Sequence, residues 1–372
     1  MQNNLQRKKK TLLLPYQINC FNMKNSRFVL ILFSFISIFT SCSTKVDLYA
    51  DYKDIAIVYA MLNPKADTNY VKITRAFCGV NDDPINASEV ALIADSCNYP
   101  CKLESYIIEL KSRHGNYYEP TGRVLALDTI TLHNKEEGTF YSPDQLFYYT
   151  TEPFNTGTYN EKYKYRLIVI KPNGDTVSAQ TSMVGNEEFS ILTNEVGFQI
   201  AQTDALKQIS FIPDDEASLY EITIQFNYRE QLSGQEMKRK SISRSFGTKT
   251  LTEYHHGTGS THIEYYPMNW LFNDLAEAIG GDTIWDVNHP DVVRLIDDFV
   301  ITICAGGEEL NIYYLQNQAQ MGSPTSLVTP YTNVEGGFGV FSSRIAIRKV
   351  VDISPKTKKE FFTMPSWGFR EQ

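Results

Sequence analysis

A transition metal could be held by three histidines that lie close together in the second half of the chain. His255 and His256 are adjacent, and His262 follows after Gly-Thr-Gly-Ser-Thr. Imidazoles are good ligands for Zn²⁺, Cu²⁺ and Ni²⁺. The intervening glycines and serine, however, are typical of a flexible hairpin loop that would not hold the ligands in place. We therefore predict neither a metal nor another cofactor, and keep the three histidines as the metal candidates.

Carboxylates cluster at three places, which are Asp82-Asp83, Asp214-Asp215-Glu216 and Asp297-Asp298. Paired carboxylates can bind Ca²⁺ or hydrolyse a glycoside. None of the three clusters has the Asp-x-Asp-x-Asp-Gly spacing that wraps a calcium ion. Their separation in the fold is not visible in the sequence, so solvated turns are the favoured interpretation.

Motifs for covalent or phosphate chemistry are absent from the sequence. It contains no Gly-x-Ser-x-Gly, no His-Glu-x-x-His and no Walker loop. Gly336-Gly337-Phe338-Gly339 lacks the Lys and Ser/Thr of a phosphate-binding loop. A Ser-His-Asp set need not be contiguous, so a hydrolase acting on glycan or peptide stays an open alternative. A non-enzymatic protein is the favoured interpretation.

Two cysteines are close enough in sequence to form a local disulfide. Cys97 and Cys101 flank Asn98-Tyr99-Pro100, a turn-forming segment. In an oxidising compartment they could bridge across this turn, whereas buried free thiols are the equal alternative. The spacing and the lack of a nearby histidine make a poor match to a zinc site.

An export signal is the clearest motif in the chain. In residues 23–41, two basic residues precede the apolar run 28–39, and Thr-Ser follows. This is the order of a secretory signal, and the run is shorter than the ~20 apolar residues of a transmembrane helix. Cys42 comes next, as in a lipoprotein signal, although Phe39 stands where such signals usually have Leu. We predict that Cys42 is acylated; an ordinary signal peptide or an uncleaved anchor is the alternative.

The signal defines the expected organisation of the first part of the chain. Residues 1–22 are interpreted as an over-long leader, residues 23–41 as the lipoprotein signal peptide and residues 42–54 as a lipidated tether. Two lipid groups on one cysteine give an effectively permanent anchor in the outer membrane. The Ser-Thr-Lys-Val that follows Cys42 is not acidic, which favours the periplasmic face over the cell surface.

The negative net charge argues against nucleic acid as a partner. The full chain has a formal net charge of −8, and removing residues 1–41 takes away six basic residues and no acidic one, which leaves −14. Nucleic-acid binding depends on clustered Lys and Arg that neutralise phosphates. We therefore expect no nucleic acid among the partners.

Aromatic and β-branched residues predict a mainly β fold. The chain holds 23 Tyr and 21 Phe, residue types that favour strands. Residues 163–170 and 176–181 alternate on either side of Asn173-Gly174, which predicts a hairpin. With Gly-Thr-Tyr at residues 157–159 just upstream, this hairpin resembles the last two strands of a fibronectin-III or immunoglobulin-like sandwich.

Two further strands are predicted near the start of the folded part. Residues 55–62 are almost continuously apolar, which predicts a strand buried on both faces. Residues 70–76 alternate instead, so Tyr70, Lys72 and Thr74 are expected on the face opposite Val71, Ile73 and Arg75.

A break in the pattern at residues 185–188 sets the expected domain boundary. We predict an immunoglobulin-like β-sandwich in residues 55–185 and a second β-rich domain in residues 186–372. The second domain is expected to carry two short helices, over residues 270–279 and 291–298, and to return to strand over residues 310–316.

Three segments together with the lipoprotein signal resemble a known family. They are Tyr59-Ala-Met-Leu-Asn-Pro64, Tyr70-Val-Lys-Ile-Thr-Arg-Ala-Phe77 and Tyr331-Thr-Asn-Val-Glu-Gly-Gly-Phe-Gly-Val-Phe-Ser-Ser343. In them the chain is similar to an uncharacterised lipoprotein family of Bacteroidota, the domain of unknown function numbered 4249. The resemblance spans most of the mature chain and assigns no catalytic residue. It implies an outer-membrane partner, a TonB-dependent transporter.

Tyrosine doublets suggest how such a protein could bind a ligand. They are Tyr117-Tyr118, Tyr148-Tyr149, Tyr265-Tyr266 and Tyr313-Tyr314. In a strand, each doublet puts one ring on each face, and several outward rings could stack on a glycan or pack on a protein. The favoured function is a non-enzymatic binding or accessory lipoprotein, and the alternatives are a secreted hydrolase and a purely structural envelope protein.

Overall fold

The computed structural model of the chain describes the residues 54–77, 87–114, 117–158, 160–193, 198–232, 234–280, 292–321, 330–363 and 367–371. The predicted leader, signal peptide and lipidated Cys42 lie outside the described residues, as do Asp82 and Asp83. Within the described residues the fold is mainly β, as the composition predicts.

The strands are, in chain order, β1 Ala56–Leu62, β2 Asn69–Arg75, β3 Glu104–His114, β4 Tyr117–Ala126, β5 Asp128–Leu132, β6 Gln145–Thr150, β7 Tyr163–Ile170, β8 Thr176–Ser182, β9 Ser190–Ile191, β10 Leu206–Ile212, β11 Ala217–Gln231, β12 Lys238–Thr250, β13 His255–His256, β14 His262–Pro267, β15 Val293–Gly307, β16 Val334–Glu335 and β17 Gly337–Val351. The α-helices are α1 Ala87–Val90, α2 Ala94–Cys97, α3 Trp270–Gly280, α4 Glu308–Met321 and α5 Pro355–Phe362. None of the described helices combines the length and the apolar character needed to cross a membrane.

The first half of the chain forms the predicted immunoglobulin-like sandwich. Strands β5, β6, β2 and β1 end an eight-stranded sheet of order β12-β11-β15-β17-β1-β2-β6-β5, and they face a five-stranded sheet of order β16-β8-β7-β3-β4. With β1, β2, β3, β5, β6, β7 and β8 taken as strands A to G, this is the A-B-E-D and C-F-G arrangement of immunoglobulin domains. The predicted hairpin is the β7–β8 pair.

A buried tyrosine fixes one corner of the sandwich. The Tyr165 hydroxyl, near the start of β7, accepts from the Asn155 amide at 2.7 Å and donates to the Glu109 carboxylate at 2.8 Å. A tyrosine at this position that bonds to the backbone upstream is the tyrosine corner of immunoglobulin-like sandwiches. It supports the fold assignment independently of strand order.

The second half of the chain extends the same large sheet. Strand β17 pairs in parallel with β1, and β15, β11 and β12 continue outward from it. The sheet therefore runs across the predicted boundary at residue 185. The buried apolar residues nevertheless separate into two cores, with Met183 in the first and Val184 in the second. Independent folding of the two parts stays a prediction.

Strand β15 replaces the predicted helix over residues 291–298. Val292, Ile296 and Phe299 are buried, a spacing that imitates one face of a helix. In the structure this spacing comes from a register shift between β11 and β15 near Phe226 and Tyr228, which interrupts the two-residue alternation. The other predicted helix is confirmed as α3.

Helix α4 replaces the strand predicted over residues 310–316. Two acidic residues, Glu308 and Glu309, occupy its first turn, where they favour a helix N-terminus. Tyr313 and Tyr314 consequently lie on a helix rather than on opposite faces of a strand. Two single helical turns, α1 and α2, lie between β2 and β3.

Candidate functional site

A cavity of about 380 Å³ lies against the outer face of β1 and β2. Its floor is formed by Ile57 and Tyr59 of β1 and by Lys72 and Thr74 of β2. Cavities of this size are typical of sites for small ligands.

The apolar run of β1 predicts burial on both faces, and this prediction is wrong. One face of β1 is partly exposed and forms the cavity floor. Ala56, Val58, Ala60 and Leu62 point into the core, whereas Tyr59 is 46% exposed. Strand β2 alternates as predicted, so Lys72 shares the outer face with Tyr59, its partner in the antiparallel register. An aromatic ring and an ammonium group therefore lie side by side on this face.

Two segments form the walls of the cavity, and a backbone hydrogen bond joins them. One wall holds Cys97 of α2, and the other is the segment that contains Phe140 and Tyr141. The Tyr141 amide donates to the Ala91 carbonyl at 2.7 Å, and the Cys97 thiol donates to the same carbonyl at 3.1 Å. These bonds fix the walls at the cavity edge.

Lys72 is the central charged group of the cavity. Its ammonium donates to the Gln145 side-chain oxygen at 2.7 Å and to the Leu146 carbonyl at 3.1 Å, and lies 4.6 Å from the centre of the Phe147 ring. Burial, and then repulsion from Lys135, lower the Lys72 pKa from its ordinary value to about 8.

Two more basic groups border the cavity. The Lys135 ammonium donates to the carbonyls of Phe140 at 3.0 Å and Tyr141 at 2.8 Å. The Arg75 guanidinium donates to the backbone carbonyls of Ser96 and Asp95 at helix α2. All six acceptors that hold the three basic groups in place are uncharged oxygens.

The three basic groups have no carboxylate partner among the residues that the structure describes. No ion pair within 4.0 Å involves Lys72, Arg75 or Lys135. Six of the other described lysines do form such ion pairs, as Lys111 does with Glu161 at 2.8 Å. The lining residues of the cavity include no Asp and no Glu. Like charges brought together without counter-charges favour the binding of an anion.

A row of aromatic rings leads away from the cavity along the same sheet face. Tyr70 is 41% exposed, and its ring centre lies 6.0 Å from that of Phe147 and 6.4 Å from that of Tyr149. Together with Tyr59, these rings form an outer aromatic row across β1, β2 and β6. We call Tyr59, Tyr70, Phe147 and Tyr149 the aromatic row.

The rings of the tyrosine doublets differ in where they lie and in whether they face outward. Tyr148 and Tyr266 are buried, whereas their neighbours Tyr149 and Tyr265 face outward, as predicted for strands. Of the predicted outward rings, Tyr149 joins the aromatic row. Tyr117 is exposed on β4 of the other sheet.

The histidines do not converge as a set of three. The rings of His256 and His262 face each other across β13 and β14, with 4.6 Å between their centres. The His255 ring packs instead on Tyr265, at 5.0 Å. Among the described residues, no group of three His, Cys, Asp or Glu side chains is placed to hold a metal ion.

Cys97 and Cys101 are both free thiols in the structure, the first buried and the second exposed. Of the two alternatives that the sequence left open, the structure therefore has the free thiols. Cys97 takes part in the cavity wall.

The described carboxylate clusters have structural contacts. The buried Asp214 carboxylate accepts from the amides of Gly185 at 2.5 Å, Asn186 at 2.7 Å and Glu216 at 2.8 Å. Asp297 accepts from Arg229, and Asp298 accepts from Asn227. The interpretation as solvated turns is therefore wrong for these residues, because Asp214 is buried and Asp297 and Asp298 lie within strand β15.

A second cavity of about 280 Å³ lies between α4 and the large sheet. It is bordered by Cys304, Arg344 and the misassigned Tyr313 and Tyr314. Burial raises the pKa of the Cys304 thiol, which disfavours the nucleophilic thiolate. This cavity therefore lacks an activated nucleophile.

Comparison with known proteins gives no family assignment, since no protein-family model and no curated protein sequence matches the chain. The geometry of the site is what supports a function.

Sequence reasoning did not identify the basic groups of the cavity. The alternation in β2 placed Lys72 correctly on the face of Tyr70 but gave it no role. It put Arg75 on the opposite face, which is wrong, because Arg75 at the end of β2 borders the same cavity. Arg75 and Lys135 lie 60 residues apart in sequence, so only the tertiary fold brings them together. The alternation of aromatic and basic residues in β2 was the one local signal available.

Proposed function

We propose that the chain is a non-enzymatic binding lipoprotein, anchored at the outer membrane through Cys42, whose ligand enters the cavity on β1 and β2. The observation that carries this proposal is a ligand-sized cavity with unpaired basic groups and exposed aromatic rings. Ligand sites in proteins commonly combine apolar walls with a few convergent polar groups.

The chemistry of the cavity favours binding over catalysis. A glycoside hydrolase uses two carboxylates, and a cysteine hydrolase uses a thiol beside a histidine. The described lining of the cavity contains Cys97 but no Asp, Glu or His. The hydrolase alternative has no support at this site.

The anchor and the transporter partner rest on the sequence. The lipoprotein signal supports acylation of Cys42 and a place on the outer membrane, with the periplasmic face favoured. The family resemblance supports an accessory role beside a TonB-dependent transporter. A purely structural envelope protein, the remaining alternative, would have no saturable ligand.

A cavity-filling variant tests the proposal. The detergent-solubilised full chain is screened by calorimetry against a panel of acidic and neutral oligosaccharides and short peptides. Thr74→Trp fills the cavity floor, so it should weaken the binding of any true ligand at least tenfold. Thr131→Trp on exposed β5 is the matched control and should bind as the parent does.

The fate of the ligand separates binding from hydrolysis. A bound panel member should be recovered intact by mass spectrometry after prolonged incubation. Shorter products that depend on Thr74 would support the hydrolase instead. Binding that both tryptophan variants retain, or no saturable binding to the whole panel, would contradict the proposal.

A further inference from the structure

The chemical class of the ligand can be inferred from the cavity and the aromatic row together. This inference rests on the proposed function. We propose that the cavity binds an acidic sugar, a pyranose ring that carries a carboxylate or a sulfate, as part of an oligosaccharide that continues along the aromatic row.

The basic groups keep hydrogen-bond donors for a ligand. An ammonium group has three N–H donors, and Lys72 and Lys135 each use two of them on uncharged oxygens. The Arg75 guanidinium has five donors and uses two on the carbonyls of Ser96 and Asp95. An anionic oxygen can therefore accept charge-assisted hydrogen bonds without breaking the contacts that position the three side chains.

The cost of holding these charges together also favours an anion. Lys72 and Lys135 are both partly buried, and each repels the other. The described residues supply no compensating carboxylate at this place in a chain of net charge −8. A bound carboxylate or sulfate would supply the missing counter-charge.

The aromatic row indicates that the uncharged part of the ligand is a sugar. Pyranoses have an apolar C–H face that packs on aromatic rings, while their hydroxyls stay in water; exposed Tyr rings suit both. The aromatic row extends over three neighbouring strands, from Tyr59 to Tyr149, which is more than one sugar ring would cover. An acidic peptide would satisfy the charges, but it has no need of a row of rings on a sheet face.

Binding of four probes to the detergent-solubilised full chain tests the inference. Oligogalacturonate carries carboxylates, a heparin-derived oligosaccharide carries sulfates, maltohexaose is neutral, and hexaglutamate is an acidic peptide. We expect at least one acidic sugar to bind at least tenfold more tightly than both maltohexaose and hexaglutamate. Which of the two acidic sugars binds more tightly identifies the acidic group.

Charge variants locate the binding. Lys72→Met and Lys135→Met should each weaken acidic-sugar binding at least tenfold at unchanged melting temperature. Lys238→Met, at an exposed lysine of β12, is the matched control and should have no effect. Asp82→Asn/Asp83→Asn should also leave the affinity unchanged within a few-fold. A tenfold gain in that variant would mean that the chain's own carboxylates neutralise the cavity, which would overturn the inference.

The outcomes separate this inference from the proposed function. If maltohexaose or hexaglutamate binds as tightly as the acidic sugars and Thr74→Trp abolishes that binding, the acidic-sugar class is wrong and the cavity is still a ligand site. If Lys238→Met weakens acidic-sugar binding as much as Lys72→Met does, the binding is diffuse surface attraction and the inference fails. If nothing in the wider panel binds, both fail.

Discussion

The Lys72 ammonium lies 4.6 Å from the centre of the Phe147 ring, on a neighbouring strand of the same sheet face. A cation over an aromatic ring is stabilised by roughly 0.5–2 kcal/mol, depending on its exposure to water. Here the contact also points to the organisation of the site, because it joins the basic cavity to the aromatic row.

The affinity for an acidic sugar should fall as the pH rises through the Lys72 pKa. The free protein has this pKa lowered to about 8, and a bound anion would raise it because it stabilises the ammonium. Affinity should therefore be full below pH 7 and approach a loss of about tenfold per pH unit above pH 8.

Lys72→Arg is the control for this pH dependence, since a guanidinium keeps its charge. Arg75, Lys135 and Cys97 also face this ammonium. Calorimetry between pH 6 and 9.5 should show a much flatter profile for the variant. An equally steep profile would mean that the Lys72 ammonium does not cause the pH dependence, which would contradict its role.

Loss of the Glu109 carboxylate should destabilise the sandwich strongly. This buried carboxylate accepts from Tyr165 at 2.8 Å, Asn155 at 2.9 Å and Arg123 at 3.1 Å. Glu109→Ala leaves these donors without their acceptor, so we expect a loss of about 3–5 kcal/mol in the free energy of unfolding. Urea denaturation measures it.

Glu161→Ala is the matched control for Glu109, because it removes an exposed carboxylate paired with Lys111. Exposed ion pairs of this kind contribute less than about 1 kcal/mol. If the two variants unfold at similar urea concentrations, the Glu109 contacts are not the stabilising centre of the corner.

Gly339→Ala should disrupt the pairing of β17 with β1. Gly339 has φ +122°, and an added Cβ would lie 1.8 Å from the Val58 carbonyl oxygen. Strain and overlap together should cost roughly 4 kcal/mol or more. Gly174→Ala is the matched control, since its φ is +86° but nothing lies within 4 Å of the added atom. It should cost only about 1–2 kcal/mol. Equal melting temperatures for the two variants would contradict this.

Acylation of Cys42 predicts a membrane-bound protein that incorporates labelled palmitate. Two acyl groups bind a bilayer far more strongly than one. Cys42→Ser should lose the label and leave the membrane fraction, whereas Cys101→Ser, at an exposed thiol, should keep both. If the Cys42→Ser protein fractionates with the membrane as the parent does, Cys42 does not anchor the protein.

Local patterns predicted the parts of the fold that depend on near neighbours. The β7–β8 hairpin follows from alternation around Asn173-Gly174, and helix α3 follows from its apolar stripe. Strand β15 was missed because a register shift gave its apolar residues a helical spacing. The parallel pairing of β1 with β17 joins residues 281 positions apart, which no local pattern encodes.

The candidate site was predictable only in fragments. The alternation in β2 put Lys72 and Tyr70 on one face, and the tyrosine doublets predicted an outward ring at Tyr149. In β1 the residues that point into the core, such as Ala56 and Ala60, and those that point outward, such as Tyr59, are all apolar. No polar alternation therefore marked the outer face, and the exposure of Tyr59 was not predicted. Lys135 reaches the cavity through a connection whose path depends on the Tyr141–Ala91 backbone bond.

A crystal structure of the full chain soaked with oligogalacturonate, and separately with the heparin-derived oligosaccharide, would show whether the β1–β2 cavity holds an acidic sugar. We predict an acidic group within hydrogen-bond distance of the Lys72 or Lys135 ammonium, with its sugar ring against Tyr59 and the next rings along the aromatic row. A saccharide bound elsewhere, for example in the cavity beside α4, with the β1–β2 cavity empty, would contradict the account.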